Sequence, residues 1–176
     1  MLKKGIFRTP SNELEGSRQT ASAAENELTI TCPSCKVKTS ASELSDNLHV
    51  CPRCGFHFRM NARQRIDCLT DEGAFEELFD SVIAKDVIAF PDYGKKLRHA
   101  RLESAEKEGV ICGKASIGGH PCALFVMEPY FMMGSMGAAV GERITRLFEY
   151  ALQNRLPVIG YTVSGGARMQ EGIVSL

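Results

Sequence analysis

The apolar positions change their spacing several times along the chain. Residues 1–28 show no apolar period; Ser, Glu, Lys and Ala dominate, and the segment reads as a disordered tail. Two short apolar runs follow, Leu28-Thr29-Ile30 and Leu48-His49-Val50, each leading into Cys-x-x-Cys. That pattern predicts two short strands feeding two tight turns. Over 61–79, Ala62, Ile66, Leu69, Phe75, Leu78 and Phe79 approximate one helical face, broken near Asp71-Glu72-Gly73. Residues 80–108 are polar, with a helix expected over 93–108. At Gly109 the pattern turns apolar: Val110–Ile117 and 122–127 read as strands joined by a hairpin turn at Gly118-Gly119. Ala138–Asn154 carries Val140, Ile144, Leu147, Phe148, Ala151 and Leu152 at helical spacing. A strand over 157–163 comes next, and Ser164-Gly165-Gly166-Ala167 is expected to open another helix.

Strand, helix, strand is a parallel crossover unit, which places the chain in the α/β class, with an α+β part at its N-terminus. The expected organisation is a tail (1–28), a cysteine ribbon (29–58), a helical connector (59–108) and an α/β core (109–176). One crossover cannot cover both faces of a parallel sheet. The core is therefore expected to be the front part of something longer, or to fold against a partner.

Composition narrows the function classes. Of 176 residues, 44% are hydrophobic and 24% charged, as in soluble globular proteins. Lys+Arg and Asp+Glu both number 21, which argues against a protein that coats DNA. No apolar run reaches the ~18 residues that cross a bilayer, and the first thirty residues lack the apolar stretch of an export signal. Charge is uneven, however. Residues 31–66 hold Lys36, Lys38, Arg53, Arg59, Arg63 and Arg65 against Glu43 and Asp46, while 67–109 is strongly acidic, which suggests separate structural units.

Cys32-x-x-Cys35 and Cys51-x-x-Cys54 stand 15 residues apart, the spacing of a four-cysteine zinc site. Thiolates suit a borderline-soft ion, and four of them leave no open position, so the expected zinc is structural. Pro33, Pro52 and Gly55 are turn residues in mirrored places. Cys68, Cys112 and Cys122 are expected to be small core residues, and His49 and His57 ordinary surface histidines. Arg53, Arg59, Arg63 and Arg65 could meet phosphate, from nucleic acid or a nucleotide-like ligand; a solvated basic face is the preferred reading.

Two loops are glycine-rich: Gly134-Ser135-Met136-Gly137, with Gly141 one turn later, and Ser164-Gly165-Gly166-Ala167-Arg168-Met169-Gln170-Glu171. At strand-to-helix junctions free N–H groups and the helix dipole can hold a phosphate or an oxyanion. Neither loop has the dinucleotide, phosphate-loop or nucleophile-elbow form. Tight packing of helix on strand is the alternative for both. Met127, Met132, Met133 and Met136 are expected as adaptable core.

Taken in order, Cys-Pro-x-Cys…Cys-Pro-x-Cys-Gly-x-His, Phe58-Arg59-Met60-Asn61-Ala62-Arg63-Gln64-Arg65, Asp71-Glu72-Gly73, Lys85-Asp86-Val87, Phe131-Met132-Met133-Gly134-Ser135-Met136-Gly137 and the 164–172 motif resemble the carboxyltransferase β subunits of bacterial or plastid acetyl-CoA carboxylase. The resemblance runs from about residue 30 to the end. It implies a crotonase-like (ClpP/crotonase) domain behind the zinc ribbon, of which residues 109–176 would be only the first part. It implies transfer of a carboxyl group from carboxybiotin to acetyl-CoA, giving malonyl-CoA for fatty-acid biosynthesis in an ATP-dependent system. The implied partners are a carboxyltransferase α subunit in an α2β2 heterotetramer, a biotin carboxyl carrier protein that supplies biotin, and biotin carboxylase. The implied compartment is the cytoplasm, or the plastid stroma in a plant. By the same resemblance Gly165, Gly166 and Ala167 are the catalytic backbone beside the acyl-CoA, and Gly134, Ser135, Met136, Gly137 and Arg168 line the cofactor. Family members continue well beyond this length, so the chain alone is expected to be inactive. The other reading weighed is a nucleic-acid-binding or regulatory zinc ribbon without catalysis.

Overall fold

A computed structural model describes residues 28–175, which form two units divided between His57 and Phe58. The expected tail falls outside the described residues apart from Leu28, which is exposed.

In the first unit, β1 (Thr29–Thr31) pairs antiparallel with β2 (Lys38–Ser40), Thr29 opposite Ser40. Helix α1 (Ala41–Asp46) starts at Ser40, whose hydroxyl accepts from the Glu43 N–H, an N-cap that satisfies one of the orphan amides of the first turn. The sequence reading missed β2 and α1. It also placed a strand at Leu48-His49-Val50, where the chain turns instead: Leu48 and His49 have positive φ, and only Val50 forms a bridge, with His57. His49 is buried rather than on the surface, while His57 is exposed.

The second unit is built on a four-stranded sheet in the order β3 (Glu76–Leu78), β4 (Val110–Ile117), β5 (His120–Met127), β6 (Val158–Tyr161). The first three strands are antiparallel, and β5 and β6 are parallel, joined by α4 (Ala138–Asn154) as a crossover. The Gly118-Gly119 hairpin is as expected, with both residues at positive φ and their N–H groups held by the Asp71 carboxylate at 2.8 Å. Alternation along β4 and β5 feeds two cores. Val110, Cys112, Ala123, Phe125 and Met127 pack with Val140, Leu147 and Ala151 of α4. Ile111, Ala115, Cys122, Leu124 and Val126 pack on the opposite face with Ala62 and Ile66 of α2 (Ala62–Leu69).

The helical connector needs correction. α2 ends at Leu69, and residues 76–78, expected to continue a helix, are the edge strand β3. Glu128 explains where α2 begins: its buried carboxylate accepts from the Ala62 N–H at 2.7 Å, and a capping box links Asn61 and Gln64. Helix α3 (Tyr93–Ser104) stops four residues early, at a left-handed Ala105. It carries Tyr93, Leu97 and Ala100 into a third core with Phe131 and Ala139. On α4 the expected face is only partly covered: Phe148 and Leu152 remain exposed. Cys112 and Cys122 are buried as expected, and burial pushes the Cys112 thiol up to about 12.

Arg143 ties this unit together. It is 1% exposed. Its Nε donates to the Val82 carbonyl at 2.8 Å, Nη1 to Val110 at 2.8 Å and Nη2 to Asp80 at 2.9 Å. Replacing Arg143 by Met would leave three carbonyls short of a donor, and we expect a loss of about 3 kcal/mol in urea unfolding. Arg146→Met, at an exposed pair with Glu142, should change stability by less than about 0.5 kcal/mol.

Candidate active site and metal centre

The metal centre is made by two matching turns. Cys32 N–H donates to Val37 O at 2.8 Å and Lys36 N–H to Cys32 O at 2.9 Å; Cys51 N–H donates to Phe56 O at 2.8 Å and Gly55 N–H to Cys51 O at 3.0 Å. Lys36 and Gly55 take the same left-handed conformation at the equivalent place. The turns bring the four predicted sulfurs within 4.8 Å of one another. Cys32 and Cys54 lie 3.7 Å apart, as do Cys35 and Cys51. Sulfurs at ~2.3 Å from a central ion in a tetrahedron are about 3.8 Å apart, so the donor set fits zinc. The Phe56 amide and the other three thiols lower the Cys54 thiol to about 6. The Val37 amide favours the Cys35 thiolate, but burial and its three sulfur neighbours raise Cys35 to about 11. His49 and His57 are not among the ligating atoms.

The two glycine loops meet at the ends of β5 and β6. Met136 N–H donates to Gly166 O at 2.9 Å, Arg168 N–H to Met136 O at 2.7 Å, and Gly165 N–H to Met133 O at 2.9 Å, so the loops run side by side like a short parallel ladder. The helix expected from Ser164 does not form. The chain runs without helix to Arg168, through a positive φ at Gly166, and then coils into a 3₁₀ segment, Met169–Ser175. The cause is the buried side chain of Arg168, which anchors the segment where a helix would turn away.

Arg168 is 1% exposed and centres a polar network. Its Nη2 donates to Glu108 Oε1 at 2.7 Å and to the Ser135 carbonyl at 2.9 Å. Nη1 donates to Glu171 Oε1 at 3.1 Å, and Nε to Ser135 Oγ at 3.1 Å. The guanidinium sits over the Phe131 ring, 5.3 Å from its centre. Tyr93 donates its hydroxyl to Glu171 Oε1; burial first, then that bond, raise its pKa and keep it protonated. Glu171 Oε2 accepts from Ala138 N–H at 2.7 Å, the first turn of α4. That helix terminus, expected to meet a ligand, is thus already met by a carboxylate of the protein itself.

The cofactor-lining assignments change accordingly. A Cβ on Gly134 would lie 2.3 Å from Val163 O, and one on Gly137 would lie 2.7 Å from Glu171 Oε1. Both glycines serve close packing, the alternative weighed from sequence. Ser135 and Arg168 border the adjoining cavity, but their polar atoms face the network; Met136 is half exposed. The sequence reading missed Tyr93 and Glu108. Only hindsight marks Glu108, the last acid of a polar run before an apolar strand.

The cavity beside the second loop has a volume of about 390 Å³. Gly165 and Ala167 line it together with Met132, Met133 and Met169, and exposed Lys96 and His99 of α3 stand at it. Of the three predicted backbone donors, Gly165 N–H is taken by Met133 O and Gly166 N–H by the Ser164 hydroxyl at 3.0 Å. The Ala167 N–H has no hydrogen bond among the described residues.

The crossover sheet and the paired loops have the crotonase-like fold of carboxyl transferase domains, and a four-cysteine ribbon precedes them in the sequence. Residues 58–176 match the Carboxyl transferase domain family and residues 30–54 the Acetyl-CoA carboxylase zinc finger domain. The chain belongs to the carboxyl transferase domain family. It is similar to proteins named acetyl-coenzyme A carboxylase carboxyl transferase subunit beta. One, from Ruminiclostridium cellulolyticum, is 50% identical over 100% of this chain and 62% of that protein. Another, subunit beta 2 from Lachnospira eligens, is 52% identical over 85% of this chain and 57% of that protein. The chain thus spans about three fifths of the length of these curated relatives. Among solved structures, a transcarboxylase 12S with methylmalonyl-coenzyme A bound superposes with a TM-score of 0.56 at 28% identity, over 66% of this chain and 21% of that one.

Two outcomes follow from the geometry. Stripping zinc with a chelator, or Cys35→Ser, should abolish amide-exchange protection over 29–57 while the strands at 110–127 stay protected. Arg168→Met should destabilise the second unit by about 3–5 kcal/mol in denaturant unfolding, since it strands Glu108 and Glu171 in the interior.

Proposed function

We propose that this chain is the β-type part of the carboxyltransferase of acetyl-CoA carboxylase, moving a carboxyl group from carboxybiotin to acetyl-CoA to give malonyl-CoA for fatty-acid synthesis. The observation that carries the reading is the unspent Ala167 N–H on the wall of a cavity, in a turn fixed from below by Arg168. When the N–C bond of carboxybiotin breaks, the ureido nitrogen left behind takes a proton from the acetyl methyl carbon and that carbon bonds the released CO2; in between, negative charge develops on the thioester oxygen. A backbone N–H already aimed at that oxygen stabilises the charge without reorganising, and no nucleophilic side chain is needed. Gly166 is the second donor in this reading: its N–H meets the Ser164 hydroxyl, a neutral acceptor that an oxyanion would displace, and its φ of +101° is one that few residues other than glycine adopt.

The likeness to the two β subunits supports the wider assignment: a carboxyltransferase α subunit in an α2β2 assembly, a carrier protein bringing biotin, and biotin carboxylase to charge it. Zinc held by Cys32, Cys35, Cys51 and Cys54 is structural in this reading, and the compartment is the cytoplasm or a plastid stroma. The test is malonyl-CoA decarboxylation by the chain reconstituted with an α subunit. Ala167→Pro removes the N–H without taking any existing hydrogen bond. We expect it to lower kcat about 10²-fold with KM little changed, while Ala167→Gly, which keeps the N–H, stays within a few-fold of the parent. Equal activity in the two variants would refute the oxyanion role.

A further inference from the structure

The methionines expected as adaptable core have different surroundings in the structure. Met127 is buried at 4% exposure, and Met132 packs partly buried against the third core. Met133 is 69% exposed, and so, at 70%, is Met169, which opens the 3₁₀ segment. Both line the cavity that Gly165 and Ala167 also line. Met132, Met133 and Gly134 are three successive residues at positive φ, and the Met133 carbonyl accepts from the Gly165 N–H at 2.9 Å. The terminal methyl of Met133 lies 3.6 Å from where a Cβ on Gly165 would stand. Its thioether therefore lies against the turn while most of the residue stays open to water.

A thioether sulfur has no proton to lose, so its reaction with a peroxide is governed by access rather than by pH. The thiols of the same unit are held back twice. Cys112 and Cys122 are buried, and burial raises the pKa of Cys68, Cys112 and Cys122, that of Cys112 to about 12. Little thiolate is then present at neutral pH. Among the described residues of the second unit, the sulfurs open both to water and to oxidation are thus thioethers, and two of them line one cavity.

We propose that Met133 and Met169 form a reversible oxidation site, at which hydrogen peroxide turns the thioether part of the cavity lining into sulfoxide. A lone pair of Sδ attacks one peroxide oxygen; the S–O bond forms as the O–O bond breaks. The hydroxide that leaves takes the proton of the transferred oxygen and departs as water. Sulfur loses the two electrons that the peroxide gains. Reversal consumes two thiols, which become a disulfide while the sulfoxide oxygen leaves as water, the chemistry of methionine sulfoxide reductases. A sulfoxide oxygen is a polar acceptor, and an apolar guest that covers it removes water without supplying a donor. The consequence for an acyl thioester rests on the function proposed above; the oxidation itself does not.

The experiment treats the full chain, loaded with zinc, with graded hydrogen peroxide. Peptide mass spectrometry locates the added oxygen, and calorimetry measures S-acetylpantetheine binding before and after treatment. Zinc content is followed in each sample, so that damage to the ribbon thiolates is told apart. The variant is Met133→Leu with Met169→Leu, which keeps the apolar volume without the sulfur, compared with its own untreated state. We expect Met133 and Met169 to be oxidised before Met127 and Met132, and parent affinity to fall about tenfold. The variant should hold its untreated affinity, and methionine sulfoxide reductase with dithiothreitol should restore the parent. Oxidation of Met127 as fast as Met133 and Met169, or an equal loss of affinity in the variant at full zinc content, overturns the proposal. So does oxidation of both residues with parent affinity unchanged. Selective oxidation of a chain that binds no S-acetylpantetheine even when reduced supports the modification site and counts against the acyl-transfer reading.

Discussion

The buried guanidinium of Arg168 is the interaction on which the second unit's chemistry depends. It joins three pieces of chain that are distant in sequence, Tyr93 at the start of α3, Glu108 before β4, and Phe131 and Ser135 in the first loop, to Glu171 three residues further on. One cation facing two carboxylates leaves an excess negative charge in the interior. Backbone N–H groups of Ala84, Gly109 and Ala138 and the Tyr93 hydroxyl offset it. An interior charge cluster is tolerated only when its hydrogen bonds are complete, and no buried side-chain N or O among the described residues lacks a partner. Completeness fixes the position of the extended turn at 164–168. The turn can then present an amide that is not consumed in holding itself together.

Much of this was legible in the chain. The cysteine spacing gave all four ligands because chelation by a turn is a local property. The crossover was legible because α4 has a strong helical period and β4 and β5 are near-continuously apolar. What local pattern could not supply is pairing across distance. β3 is three residues of mixed polarity, Glu76, Glu77 and Leu78, and is a strand only because β4 lies beside it. The Ser164 segment has the composition of a helix start, yet the network overrides that preference. Glycines at 134 and 137 look the same whether they admit a ligand or a neighbouring chain, and only the positions of Val163 and Glu171 decide it.

The basic stretch shows the same limit from the other side. Six cations against two acids suggested one field, but Arg63 is neutralised by acids from the following, acidic segment. The uneven charge along the sequence is therefore partly cancelled on folding. Among what remains, two arginines lie over tyrosine rings and line one cavity.

The cavity beside the glycine turn has walls of unequal stiffness. On one side the backbone is locked by ladder hydrogen bonds, with Gly165 packed so closely that an added Cβ would lie 3.2 Å from that of Met133. The rest of the lining includes thioether chains, of which Met133 and Met169 are largely exposed. Tolerance for a bulkier guest is consequently written into the thioether side chains, and drift beyond their Cβ atoms would retune what fits without breaking the main-chain bonds that hold the turn.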